Sequence, residues 1–556
     1  MKNNRNLKGC TALFRSVVGA VGIVSLLLAS GCAQTAAEGT GSSSSAGAVL
    51  NVIEPSDGTN ACIDPFQAIT GRAKAFVRNY AESLLDQDPE TGELKPWLAK
   101  DYKVSDDDKT YTFTLKDGIT FSDGEQFNAD AVVKNFEEIL KVVQENPAAS
   151  NKNYVRNLES VSKVDDSTVE FHLSAPNAAF PQALATTTTA ILSPKSFEKD
   201  AKARCLANNV GTGPYVVEKF DVKTGSVLSK RTGYNSPSPF AGRSGDAYLD
   251  EIRIAYSNES SVRLGNFLSG KADVIWNGND EPFVQNDVNQ IKQKNGEVVS
   301  RSAPGTSYDL ITNTSEGRPL ADENVRRAVG LAIDRTVYAS TVIREGYPVV
   351  KGVVDVSTPG AVDTPSLTKT DAGEAGDLLD KAGWKLGDDG YRYKDGKKLS
   401  IVYLTQSRET GAELIQDELK KVGIDYQIKV VTFAQTPGIF ASGDYDITSV
   451  TVDRADPSAL MQLIDARVAG FKSLAEKAAS GQEQSELQGL FDQSEATSDS
   501  AARLEVYKQI QALVESKALL IPVFERQQDA AVSSKVQGLR FTADSLSDFY
   551  NVKVNG

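Results

Sequence analysis

Nucleophilic and metal chemistry in proteins falls mostly to histidine, cysteine and serine, and this chain of 556 residues has one histidine, His172, and four cysteines. His172 lies in STVEFHL (167–173), where Val169, Phe171 and Leu173 alternate onto one face of a predicted strand. His172 then sits beside Glu170 on the opposite, solvated face. One histidine so placed does not build a Ser-His-Asp or Cys-His machine in the usual way. No GxSxG, HExxH, Walker or GxGxxG pattern occurs either. Without a CxxC pair or a His-rich cluster, no metal site and no cofactor are expected.

Cysteine carries a different chemistry here. Behind Lys2, Arg5, Lys8 and Arg15 runs SVVGAVGIVSLLLASGC (16–32), and its apolar part is shorter than the roughly 20 residues of a spanning helix. The close on Ala29-Ser30-Gly31-Cys32 reads as a lipobox. Residues 1–31 are then a signal peptide, and Cys32 is the acylated first residue of a chain anchored to the outer face of a bacterial membrane. The alternative is an ordinary secretory signal with an incidental cysteine. Residues 32–49 are small and polar and read as a flexible tether reaching only roughly 20 to 24 Å. Losing the leader, with its four cations and no acid, takes the formal charge from −14 to −18. Such a body repels nucleic acid and anionic lipid. Cys10 belongs to the leader, so Cys62 and Cys205 remain, which in an exported chain suggests one disulfide; two separate buried thiols are the alternative.

About 500 residues after the tether can bury a large core and predict two or more lobes. To about residue 300 the pattern is α+β. YTFTL (111–115) alternates as a strand, and Asn128 caps a helix striped by Val132, Val133, Phe136, Ile139, Leu140 and Val143. YVVEKF (215–220) and YLDEIRIAY (248–256) continue the strands. From Arg318 longer helices alternate with strands. LSIVYL (399–404), AELIQDELKKVG (412–423) and DYQIKVV (425–431) form a βαβ unit, which implies a parallel sheet covered by helices. A last helix, 500–516, precedes LIPVF and a strand-rich tail.

FSDGEQFNADAVVKNFE (121–137) resembles the signature of the family 5 extracellular solute-binding proteins, the dipeptide and oligopeptide receptors of ABC importers. GTGPY (211–215), SGKADVIW (269–276), NTSEGRPLADENVRRAVGLAIDR (313–335), LLDKAGW (378–384), IQDELKKVGID (415–425) and GDYDI (443–447) look like further blocks in family order. The resemblance implies an α/β, two-lobed periplasmic-binding-protein-like fold of class II type. A large lobe I with an extra subdomain (50–305, with 525–556 returning to it) joins lobe II (306–524) through two hinge strands. Each block also reads as scaffold: DGEQFNAD as a turn and capped helix, and GTGPY as a tight turn needing glycine conformations.

By the same resemblance Asp453, in VTVDRADP (450–457), holds the α-ammonium of a bound peptide, which needs a charged partner once buried. Read from the residues alone, Asp453 begins a turn before Asp456-Pro457. Val450 stands where many relatives carry tryptophan. Tyr80, in NYAESLL, resembles a cleft-facing position and is otherwise a core-edge aromatic. Arg408, after LSIVYL, would meet a peptide carboxylate through its guanidinium. Trp276 would line the cleft, or close the strand DVIW into the core.

The function implied is a lipid-anchored, monomeric receptor that delivers short peptides to an ABC permease and its ATPases. The runner-up is the same fold serving an oligosaccharide, an opine or a nickel chelate. A surface hydrolase or adhesion protein is the reading from a different class.

Overall fold

The computed structural model describes residues 48–58, 61–145, 150–278, 281–406, 410–432, 435–465, 467–469 and 481–555. The leader, the tether as far as residue 47 with Cys32, and Arg408 lie outside these; Val49, assigned to the tether, instead begins the first strand. No helix among the described residues is long and apolar enough to cross a membrane.

Val49–Glu54 is the middle of a seven-stranded sheet because both its edges are used: it runs parallel to Glu251–Tyr256 on one side and Val274–Trp276 on the other. The full order is 297–302, 527–532, 274–276, 49–54, 251–256, 226–230 and 215–219. One face packs on the helix Gly71–Tyr80, whose Thr70 side chain accepts from the Ala73 amide at its start. A second, antiparallel sheet of 99–104, 110–115, 168–173 and 158–165 forms the extra subdomain. The helix Ala129–Glu145 lies on it, with Asn128 Oδ1 accepting from the Ala131 amide at 3.0 Å. Phe136 meets Phe171 edge to face, ring centroids 4.7 Å apart. In that helix Val142 is buried and Val143 only half-buried, a shift of one residue from the predicted stripe.

The second lobe is built on five strands ordered 425–430, 400–405, 447–449, 308–312 and 520–524. The predicted βαβ unit is present: Ser400–Thr405 and Asp425–Val430 pair in parallel from Ser400 against Asp425 to Thr405 against Val430. The intervening helix Thr410–Lys421 is followed by Gly423 at φ +87°. The sheet is nevertheless mixed rather than parallel, because Tyr308–Thr312 runs antiparallel to both its neighbours. That strand enters straight from the first sheet, with no crossover helix to reverse it.

The chain crosses between the large sheets twice, from Ser302 to Tyr308 and from Phe524 to Gln527. At the first crossing Gly305 bridges Asp453 with φ +119°, and a side-chain carbon there would come 1.8 Å from the Val452 carbonyl oxygen. Only glycine suits that position. In GTGPY the requirement differs from the predicted one. Gly211 and Gly213 are absent from the positive-φ glycines, but an added carbon would meet the Tyr80 and Ala81 backbone at 2.2 to 2.9 Å. Close approach to a helix end, not turn conformation, requires glycine there.

Cys62 and Cys205 are joined by a disulfide across 143 residues, their Cα atoms 4.1 Å apart. Closing so long a loop is worth about 5 kcal/mol in the chain-entropy model. Thiol titration of denatured, unreduced protein is therefore expected to find none from this pair, and reduction should lower the denaturation midpoint in urea. Two reactive thiols in the unreduced body would overturn the pairing.

Candidate functional site

In open α/β sheets ligands bind beyond the carboxyl ends of strands, and a wide cleft lies at such ends. Leu404 and Thr405 close the strand 400–405, Val431 follows 425–430, and Thr448 and Ser449 close 447–449. The cleft holds about 1150 Å³, and Ile69, Glu281, Pro282 and Val284 of the first lobe form its opposite lip. Part of its wall is a stack of three rings. Phe524 lies between Tyr308 and Tyr338, at centroid distances of 4.5 and 5.4 Å and interplanar angles of 18° and 8°. Beside them the hydroxyls of Tyr308, Tyr403 and Ser449 join one another in a triangle with sides of 2.8 to 3.0 Å. Glu281 is the one charged residue among the described lining, and Arg263 holds its carboxylate at 2.5 Å.

Asp453 stands next to this cleft without lining it. Its neighbours Val450 and Thr451 do line it. The Asp453 carboxylate bonds the guanidinium of Arg526, a fully buried residue on the second crossing. Its backbone bridges Gly305, and its carbonyl accepts from the Tyr154 hydroxyl at 3.2 Å. The carboxylate that the family resemblance assigns to a ligand ammonium thus has a cation inside the chain. Burial opposes the charge of nearby Lys74, but Tyr154, Asp453 and Asp544 outweigh it and Arg454's repulsion and hold its pKa above the usual value. Three residues beyond Asp453, Asp456 is gripped by both ends of the Arg503 guanidinium at 2.7 and 2.8 Å. Burial opposes that ion too, yet Arg503 keeps its carboxyl well below the usual range.

Around Arg526 the crossings gather acids. Among the described residues buried Asp309 has no hydrogen-bond partner for either oxygen, and Asp355 Oδ2 and Glu525 Oε2 also have none. Asp355 Oδ1 accepts from the Arg526 amide at 3.0 Å, and Glu525 Oε1 from Ser302 Oγ at 2.6 Å. Burial pushes the pKa of Asp309 and Asp355 well above the carboxylate range; Glu525 adds to it and Arg526 opposes it. A buried carboxyl with no donor is more stable protonated.

The other predicted residues do not converge on the cleft. Tyr80 is buried at the end of its helix and donates its hydroxyl to the Ile63 carbonyl at 2.5 Å, beside the disulfide. Trp276 is buried in the first lobe's core, its strand pairing with Ala530 to Val532. His172 lies partly exposed on the extra subdomain, 3.8 Å from Glu170. Conversely, Tyr308, Tyr338, Tyr403, Ser449 and Phe524 escaped the sequence reading. They come from five separate segments, and their only local signal is an aromatic or hydroxyl residue near a strand end.

Two α/β lobes joined by two crossings, with a cleft at strand ends, define a solute-binding protein. The chain belongs to the bacterial extracellular solute-binding proteins, family 5 Middle, whose profile matches residues 93–468. It is 27% identical to the glutathione-binding protein GsiB of Escherichia coli over 429 residues, covering 76% of this chain and 75% of GsiB. It is 26% identical to the probable D,D-dipeptide-binding periplasmic protein DdpA of Escherichia coli over 481 residues, 84% of this chain and 86% of DdpA. NikA from Brucella suis, solved in complex with Fe(III)-EDTA, matches with a TM-score of 0.78 and 22% identity over 91% of this chain and 100% of that one. As a member of this family the chain binds a solute for an ABC importer and is not an enzyme.

Proposed function

We propose that the protein captures short peptides between its lobes and presents them to the permease of an ABC importer, anchored to the membrane through lipid on Cys32. Lobe I comprises 50–305 and 525–556, and lobe II 306–524. The crossings at 302–308 and 524–527 support those limits. The observation that carries the peptide reading is the cleft itself. Its volume of about 1150 Å³ exceeds the roughly 300 to 1,000 Å³ of sites for drug-sized ligands, as an extended chain of several residues requires. Its strand ends and hydroxyls offer partners for a peptide backbone. Similarity to DdpA points the same way.

Mass spectrometry of protein purified from its own cell envelope tests the proposal. Unfolding is expected to release a ladder of short peptides, and the chain mass should correspond to loss of residues 1–31 with diacylglycerol on Cys32. Released oligosaccharide, opine or metal chelate in place of peptide overturns the ligand class. An unmodified Cys32 overturns the anchor.

A further inference from the structure

The cleft presents apolar surface on both sides. Ile69 and Val284, on the first lobe's lip, are 46% and 44% exposed, although side chains of their kind are usually buried. Across from them Val431, Phe440 and Val450 are half-buried. Two facing apolar surfaces left partly in water gain most from an occupant that displaces that water, at about 25 cal/mol per Å² covered.

Charge is sparse in the described lining. Among the described lining residues only Glu281 is acidic or basic, and Arg263 pairs with its carboxylate. Arg263 is 1% exposed and also donates to Asn277 Oδ1 at 3.0 Å and to the Ser257 and Asn258 carbonyls at 2.9 and 3.1 Å. Thr405, Gln406, Thr448, Ser449 and Thr451 supply neutral hydroxyls and an amide. Such groups hold a peptide backbone of any sequence. An acidic ligand side chain placed among them would lose water and meet no described counter-ion, and a basic one would meet only Glu281, whose charge Arg263 already offsets.

We infer that the cleft selects peptides by one bulky, uncharged side chain, and that Val450 sets the size of side chain admitted; this rests on the peptide reading above. Val450 directly follows the strand Ile447–Ser449 and packs in part against the core of the second lobe. Pairing of Ser449 with Leu310 before it and the hydrogen bonds between Val452 and Thr306 after it hold its backbone, so the size of its side chain sets the depth of that wall. A leucine or phenylalanine side chain covers enough apolar surface there to gain about 2 kcal/mol over alanine, which is roughly a thirtyfold preference.

The test uses ligand-stripped full-length protein, a randomised library of tri- to hexapeptides, and mass spectrometry of what stays bound. Retained peptides are expected to be enriched at least tenfold in Phe, Leu, Ile, Met or Tyr over Asp, Glu, Lys and Arg at one position. Val450→Trp should move that position toward Ala, Val and Thr. Val450→Ala, which introduces no clash, should move it toward larger rings, with the melting temperature recording that both variants fold. Retained peptides without positional bias, or biased toward charge, overturn the selectivity and leave the peptide reading standing. Retention of no peptide overturns the peptide reading and the selectivity with it. Selection unchanged in both variants removes Val450 from the role.

Discussion

Arg526→Met is expected to lower the free energy of unfolding by about 3 to 5 kcal/mol, the usual cost of removing one partner from a buried ion pair. The cost arises in what remains. The guanidinium donates to Asp453 and to the Thr306 carbonyl, and it faces Asp355 at 3.8 Å, so it ties both crossings to the 450–457 segment. Methionine fills similar space but leaves the Asp453 carboxylate without its cation and the Thr306 carbonyl without its donor. A total stability of about 5 to 15 kcal/mol makes such a loss large. Urea denaturation at neutral pH measures it, and the deficit should shrink near pH 5, where carboxyls left without a cation take up protons more readily. A loss below about 1 kcal/mol at neutral pH would show that Arg526 is not the centre of the hinge. Asp453→Asn should cost less, because the Asp453 side chain is 21% exposed and Asp355 still faces the guanidinium.

The protein is also expected to be most stable near pH 5 and to weaken steadily toward pH 8. Burial raises Glu54 from 4.5 to about 8, with Arg72 opposing and Asp57 adding. Burial raises Glu82 from 4.5 to about 7 against the hydrogen bonds from Tyr234 and Ser236. A carboxyl with a raised folded-state pKa binds its proton more tightly when folded. Its contribution is complete below the unfolded value and is lost as pH climbs to the folded one. Each such proton costs about 1.4 kcal/mol per pH unit over that window. Asp309 and Asp355 act in the same direction. Asp456 acts oppositely: its depressed pKa gives stability that is present above the ordinary aspartate value and lost as pH falls below it. Denaturation midpoints from pH 4 to 8 check this, and Glu54→Gln and Glu82→Gln should each flatten the decline. A midpoint at pH 8 equal to that at pH 5 would overturn the expectation.

Much of this architecture was legible in the residues, for identifiable reasons. The strand 168–173 and the helix 129–145 announce themselves because each buries one face only, leaving a period of two or of 3.6. Ser400–Thr405, Thr410–Lys421 and Asp425–Val430 are contiguous, so their βαβ geometry follows from local sequence. The mixed sheet did not show, because the direction of 308–312 depends on its pairing with 447–449 and 520–524, both more than a hundred residues away. The site divides similarly. VTVDRADP marked the right neighbourhood, since Val450 and Thr451 line the cleft. The actual partner of Asp453 lies 73 residues downstream and carries no local sign. Tyr80 and Trp276 show the converse: a buried aromatic looks the same in sequence whether it faces a ligand or a core.

The strand Gln527–Val532 is inserted between Val274–Trp276 and Glu297–Ser302. It is made more than two hundred residues after either neighbour. A chain made amino end first must therefore hold two open strand edges apart until the whole second lobe has followed. Contacts this distant in sequence slow folding, and unpaired edges invite association with other chains. The early loop closed by Cys62 and Cys205 can form during that wait, but the seven-stranded sheet cannot. Completion of the carboxyl end, rather than of the first lobe, thus sets when the seven-stranded sheet can close.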